Sequence, residues 1–282
     1  MDINKFGLEF ICNNKIVKMN ESTEIKIMTI EGLEASQYTI NKVSGNQDGS
    51  SVTSRRIEPR EIIITGDIEK NKNEDLNRKK LISFFNPKFD GILKVTRNND
   101  KKKISYVVSS FQFKNKNMND YQNFELIIEC VNPYFESIDN FGKNIASITK
   151  QFAFPLVITQ KGKIMGYKTF NNNVSLLNDG DLDTGVEIKI KALKSVNNPM
   201  ITLNDKFIRI NVNMLSNDIL VINTNQRHKS ITLNGNNIIQ KIDRQSTFFN
   251  LEVGDNKMTY SSTEGYENME VNVYFYKKYL GM

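Results

Sequence analysis

The sequence predicts a mostly β fold of two sandwich-like domains, with one short α-helix and a long hairpin in the first. Three observations carry that prediction. Apolar residues recur at every second position in several segments, as in Phe124, Leu126, Ile128 and Cys130, which is how a strand buries one face and wets the other. Turn-forming pairs such as Asn198-Pro199 and Asn234-Gly235 separate these segments. Only one stretch, residues 73–87, carries helix start and stop signals.

At 282 residues and 39% hydrophobic content the chain can fill one large core or two ordinary ones. The formal charge of +6 comes from 38 basic and 32 acidic side chains mixed along the chain. Short runs such as Arg55-Arg56 and Lys101-Lys102-Lys103 read as solvated turns and do not point to sequence-specific nucleic-acid binding. The N-terminus, MDINKFGLEF, has no apolar run after a basic segment and does not read as a signal peptide. No stretch approaches the ~18 apolar residues of a membrane span, so no membrane partner and a reducing cytoplasm are expected.

In chain order, NEDLNRKKLISFFNP supplies Asn73 as a cap, Glu74 and Asp75 in the first turn and Pro87 as a stop. Leu76, Leu81, Phe84 and Phe85 give this helix a broad apolar side. KVTRNNDKKKISYVV reads as a hairpin around Asn98, Asn99 and Asp100, and residues 111–131 as two further strands joined by a polar loop. Asn132-Pro133 then ends the ladder, because proline lacks an N–H and pushes its predecessor away from helix. Tyr134 and Phe135 are expected to cover the open end of that sandwich. Residues 136–150 lack a clean period and read as the connection, with a boundary near residue 145.

Beyond it, Val186, Ile188, Ile190 and Ala192 alternate with Glu187, Lys189 and Lys191. The same period appears in Ile208, Ile210, Val212 and Met214, and in Met269, Val271, Val273 and Phe275. A further turn is read at Gly254-Asp255-Asn256.

Chemistry is sparse. His228, the one histidine, lies in the polar stretch NTNQRHKS with no cysteine, carboxylate or second histidine at motif spacing, and reads as a surface turn residue. The acidic run from Asn178 to Gly185 lacks glycine at the sixth place of an EF-hand count and has Ile190 where the closing glutamate belongs, so it reads as a turn. Cys12 and Cys130 are too few for a disulfide framework, and Cys130 falls on a strand face as a buried free thiol. No nucleophile-elbow, phosphate-loop or dinucleotide motif is present. No catalytic, cofactor-binding or metal residue is assigned, no cofactor is expected, and the chain is read as not an enzyme. Paired carboxylates of a glycosidase rest only on the abundance of acids.

The order of segments resembles the distal tail protein family of long-tailed bacteriophages, also found in tail-derived particles. The resemblance runs through YTINKVSG at 38–45, EPREIIITGDI at 58–68, LNRKKLISFFNP ending at Pro87, GILKVTR at 91–97 and FELIIECVNPYF at 124–135. It continues through NDGDLDTGVEIKI at 178–190, ILVINTNQRHKSITLNG at 219–235 and STFFNLEVGDNKMTY at 246–260. It implies a structural virion protein in which residues 1–140 form the belt of a hexameric ring stacked on the tail tube. Residues 141–282 would form a peripheral, galectin-like or carbohydrate-module-like sandwich. The implied partners are other copies of the chain, the tail tube protein, a tail-associated hub or tip protein, and receptor-binding or baseplate proteins. The implied location is the tail tip of the virion, after assembly in the host cytoplasm. In this setting Lys101, Lys102 and Lys103, at a hairpin tip, are expected to face an acidic partner or the tube lumen. The alternative is a carbohydrate-binding module or adhesin for cell-surface glycans, which the absence of Trp disfavours.

Overall fold

The computed structural model describes residues 6–20, 22–34, 37–46, 48–71, 73–114, 122–144, 148–150, 166–168 and 173–282. The chain divides into two units, Met1–Ile138 with Lys278–Met282, and Asp139–Lys277. The last five residues thus return to the first unit. The polar loop expected within residues 111–131 lies mostly outside the described residues.

The first unit is built from β1 (Phe6–Cys12), β2 (Lys15–Met19), β3 (Ile25–Glu31), β4 (Tyr38–Ser44), β5 (Ser50–Ile57) and β6 (Arg60–Ile68). After these come α1 (Glu74–Phe84), β7 (Gly91–Arg97), β8 (Asp100–Phe113), β9 (Gln122–Cys130) and β10 (Phe135–Ser137). Its main sheet runs in the order β2-β1-β7-β8-β9-β6-β3, with β10 and the C-terminal strand Lys278–Tyr279 attached through β8. The strand β8 spans both halves of this sheet. Residues 100–106 pair with β7 and residues 107–113 with β9, the second ladder carrying a register shift between Val108 and Ser110. A bulge adds twist and bends the strand, so both halves close on one core of Phe10, Leu93, Ile104, Ile62, Ile64, Leu126 and Ile128. The sequence reading of a separate strand starting at residue 111 is corrected accordingly: Phe111 and Phe113 end a 14-residue strand.

Aromatic rings fill the space that the bend leaves. Phe85 meets Phe10 edge to face at 5.2 Å and Phe111 at 5.1 Å, and Phe10 meets Tyr106 at 5.6 Å. Two glycines make room for rings, since a Cβ on Gly66 would lie 2.6 Å from the Phe124 ring and one on Gly91 would lie 2.4 Å from that of Tyr106. In each case the glycine and the aromatic are register partners across two strands, an arrangement that packs the ring over bare backbone.

The helix buries Asn77, Leu81 and Phe84. Leu76 is 66% exposed, so it does not belong to the apolar side assigned from sequence. Nor does Asn73 cap with its side chain. Its amide instead donates to Glu24 Oε1, which also receives Asn71, while Asn77 donates to Glu24 Oε2. One carboxylate from outside the helix thereby gathers three asparagines and outcompetes the local cap. Those bonds hold the Glu24 carboxyl below its ordinary pKa, Asn77 contributing most.

After Asn132-Pro133 the chain does not stay irregular. Phe135 enters β10 and is fully buried, so it is a core residue instead of a lid over the sandwich end. The stretch 136–150 likewise holds the end of β10, then β11 (Phe141–Asn144) and β12 (Ile148–Lys150).

The second unit continues with β13 (Gly166–Lys168), β14 (Asn173–Asn178), β15 (Glu187–Ala192), β16 (Val196–Asn197), β17 (Met200–Leu203) and β18 (Lys206–Arg209). It ends with β19 (Asn213–Met214), β20 (Ile219–Asn223), β21 (Ser230–Leu233), β22 (Asn236–Asn237), β23 (Gly254–Ser261) and β24 (Met269–Phe275). A sheet ordered β11-β24-β15-β20-β21-β22 and another ordered β14-β23-β17-β18 share one core, in which Ile188, Ile190, Val271 and Val273 meet Ile201, Leu203, Met258 and Tyr260. This is a β-sandwich.

Two readings change here. The period through Ile208–Met214 is not one strand: after Arg209 the chain leaves the ladder, Ile210 bridges Ile242, and β19 pairs with β16. Burial keeps the period of two, since Ile208, Ile210 and Met214 are all inside. Gly254 is not a turn between strands but the first residue of β23, and Asn256 is a buried node, its amide donating to the Glu252 and Gly254 carbonyls at 2.7 and 3.0 Å.

Candidate functional site

Three features of the first unit stand out. The first is a ribbon. β4 and β5 pair only with each other, from Tyr38↔Ile57 to Ser44↔Ser50. They continue the β3/β6 hairpin beyond the core, tied to it by the Glu58 amide donating to the Gln37 carbonyl at 3.1 Å. Every residue of β4 is exposed, including Tyr38 at 59% and Ile40 at 48%. The hairpin read at Lys94–Val108 is present as β7 and β8, but β7 is covered by β1 on its other side and β8 by β9 and β10.

The second feature is an anchor for the C-terminal residues. Arg60, 4% exposed, occupies the first inward position of β6. Its guanidinium donates to the carbonyls of Gly32 and Glu34, each at 2.6 Å, of Pro133 at 3.0 Å, and of Leu280, and it lies 4.9 Å from the Phe135 ring centre. Burial lowers its pKa, and the ring of carbonyl dipoles replaces the lost water. Lys102 donates to the Gly281 carbonyl at 3.0 Å, pairs with Asp100 at 3.1 Å and lies 4.3 Å from the Tyr279 ring centre. The Met282 amide donates to the Leu33 carbonyl at 3.0 Å, and Tyr279 pairs with Phe135 as a strand.

This corrects the hairpin-tip position expected for the lysine run. Lys101, Lys102 and Lys103 lie within β8, the tip being Asn98-Asn99, and the Lys102 side chain is only 12% exposed. Its charge serves the anchor.

The third feature is the outer face of β6 and β9. Glu61 stands directly opposite Glu129, and Ile63 opposite Ile127, in the ladder. Both glutamates are exposed and both isoleucines half-buried.

The remaining sequence candidates fall elsewhere. His228 is exposed in a turn, its amide donating to the Asn225 carbonyl. In the acidic run, Asp179 pairs with Lys277, which keeps its carboxyl below the ordinary range, and Asp183 accepts the Val253 amide at 3.2 Å. The buried Asn178 organises that turn by donating to the Leu182 carbonyl and accepting from the Gly180 amide. Cys12 and Cys130 are free buried thiols. Neither the anchor nor the opposed glutamates carries a sequence signal, because each joins residues tens to hundreds of positions apart.

A bent β-sheet unit that ends in an exposed two-stranded ribbon, followed by a β-sandwich, defines a two-unit β protein. The comparisons narrow this. Residues 14–130 match the family described as phage tail protein RIFT-related domain, and residues 179–279 match the siphovirus-type tail component, C-terminal domain. The chain belongs to the distal tail protein family of siphophages. The crystal structure of SPP1 Dit (gp 19.1), described as a paradigm of hub adsorption apparatus in Gram-positive infecting phages, is similar over 96% of this chain and 98% of its own, at 12% identity and a TM-score of 0.67. A chain of the phage P2 baseplate in its activated conformation with Ca is similar over 98% of both chains, at 11% identity and a TM-score of 0.52. No curated protein matches. The protein is accordingly a structural component of a phage tail, and its place is in the virion tail.

Proposed function

We propose that the protein forms a hexameric ring at the distal end of a phage tail and joins the tail tube to baseplate or receptor-binding proteins. The first unit is the ring-forming belt and the unit Asp139–Lys277 the peripheral domain. Assembly takes place in the host cytoplasm before incorporation into the virion. The observation that carries this reading is the β4–β5 ribbon, which exposes apolar side chains and, among the described residues, pairs with no other strand. An isolated two-stranded ribbon is marginally stable in water, so it is built to be covered. A contact between a ribbon and a different surface of an identical neighbour is heterologous, and such contacts close into rings when the rotation permits.

The test is the absolute mass of the purified protein by light scattering over a range of concentrations, with negative-stain images of the same fractions. Six-fold mass with annular particles is the expected result. A single-chain mass at every concentration, together with no annular density at the tail end of particles, would overturn it.

A further inference from the structure

We propose that the ribbon of one copy docks on the outer face of β6 and β9 of the next, with Lys42 and Arg55 neutralising Glu61 and Glu129. This rests on the self-assembly proposed above and names its interface.

The ribbon has two unlike faces. Residues directly opposite in a ladder share a face, so the register pairs Tyr38/Ile57, Ile40/Arg55 and Lys42/Val52 put Tyr38, Ile40 and Val52 beside the cations Lys42 and Arg55. Among the described residues, neither cation has an ion pair. The reverse face carries Thr39, Asn41, Val43, Ser51, Ser54 and Arg56, with Val43 its exposed apolar residue, and its cation Arg56 is already paired with Glu58 at 3.6 Å. Only the first face offers both apolar area and uncommitted charge.

The outer face of β6 and β9 is its complement. Glu61 and Glu129 are register partners, and like charges directly opposite destabilise a sheet. Among the described residues, no cation pairs with either. The next pair along the same face is Ile63/Ile127, and Glu31 lies across from Ile63. Each surface therefore presents apolar side chains next to charges, two cations on the ribbon and three carboxylates on the sheet face. A ribbon laid across this face covers the isoleucines and relieves the repulsion that the sheet carries alone. Among the described residues, Lys42 and Arg55 of one chain, both on the ribbon, make no ion pair with its own Glu61 or Glu129. A second copy supplies them.

The experiment uses the full chain in four forms: wild type, Lys42→Glu with Arg55→Glu, Glu61→Lys with Glu129→Lys, and all four substitutions together. Assembly is measured by sedimentation over a concentration series at two salt concentrations. Each reversed pair is expected to weaken assembly by about tenfold or more, and the combined reversal to restore most of the loss. All four side chains are exposed, so far-UV circular dichroism and the unfolding midpoint stay near wild type. The neutral pair Lys42→Gln with Arg55→Gln gives the same direction and a flatter salt dependence. Wild-type-like assembly by both reversed pairs, or a combined form no better than either, overturns this interface while the ring stands. A wild type that never assembles overturns the ring and the interface together.

Discussion

Asparagine does the work that glycine does in many β proteins. Among the described residues, all seven non-glycine positions with positive φ are asparagine, from Asn13 and Asn14 between β1 and β2 to Asn234 before Gly235, because its short amide tolerates the left-handed region. Two buried side chains give predictions at this scale. Burial pushes the Cys130 thiol up to about 12 despite nearby Arg60, against about 8.5 unfolded. The fold therefore favours the protonated form, and that contribution is complete below about pH 8.5 and fades as pH rises toward 12. Urea midpoints at pH 7.5 and 10 should show a smaller alkaline loss for Cys130→Ala than for wild type. Tyr260 presents the second case: its hydroxyl is buried and, among the described residues, has no hydrogen-bond partner. Leaving such a group unsatisfied costs about 1–3 kcal/mol. Tyr260→Phe should thus match or exceed wild type in thermal stability of the second unit, and a loss of more than about 1 kcal/mol would contradict the assignment.

At the scale of elements, α1 shows how a remote carboxylate replaces a local cap. Asn77→Ala removes a buried amide from Glu24 and should cost about 1–2 kcal/mol in a denaturant titration. Leu76→Ser, on the exposed side, should change it by less than about 0.5 kcal/mol. The helix itself was legible, since Glu74, Asp75 and Pro87 bracket it. Which of its apolar residues face the core was not, because Leu76 and Leu81 are equally apolar and only the position of the sheet distinguishes them. Strands behaved alike: the alternation of Phe124–Cys130 and Glu187–Ala192 predicted their buried faces, whereas the bulge that lets β8 serve two sheet halves leaves no mark in the period.

For the whole molecule, the main consequence is a first unit made from both ends of the chain. Gly281 packs so closely that a Cβ there would lie 2.7 Å from the Glu34 carbonyl oxygen. Gly281→Val should displace the C-terminal segment and lower the stability of the first unit by about 1–3 kcal/mol, with the second unit unchanged. Hydrogen exchange at Phe135–Ser137 and at Met282, faster in the variant, is the measurement. Equal effects on both units would argue against an anchor confined to the first.

By itself, the sequence determined the strands, most of their inward residues, the asparagine turns, the helix and the family, because each is written in local period or in the order of short segments. Tertiary structure alone decided that Arg60 gathers carbonyls from residues 32, 34, 133 and 280, that Lys102 serves the chain end, that β4–β5 stands free, and that Glu61 faces Glu129. The reason is physical. A side chain's inward or outward direction follows from the backbone period, while a strand's partner and register follow from long-range packing around a shared core, to which no single segment refers.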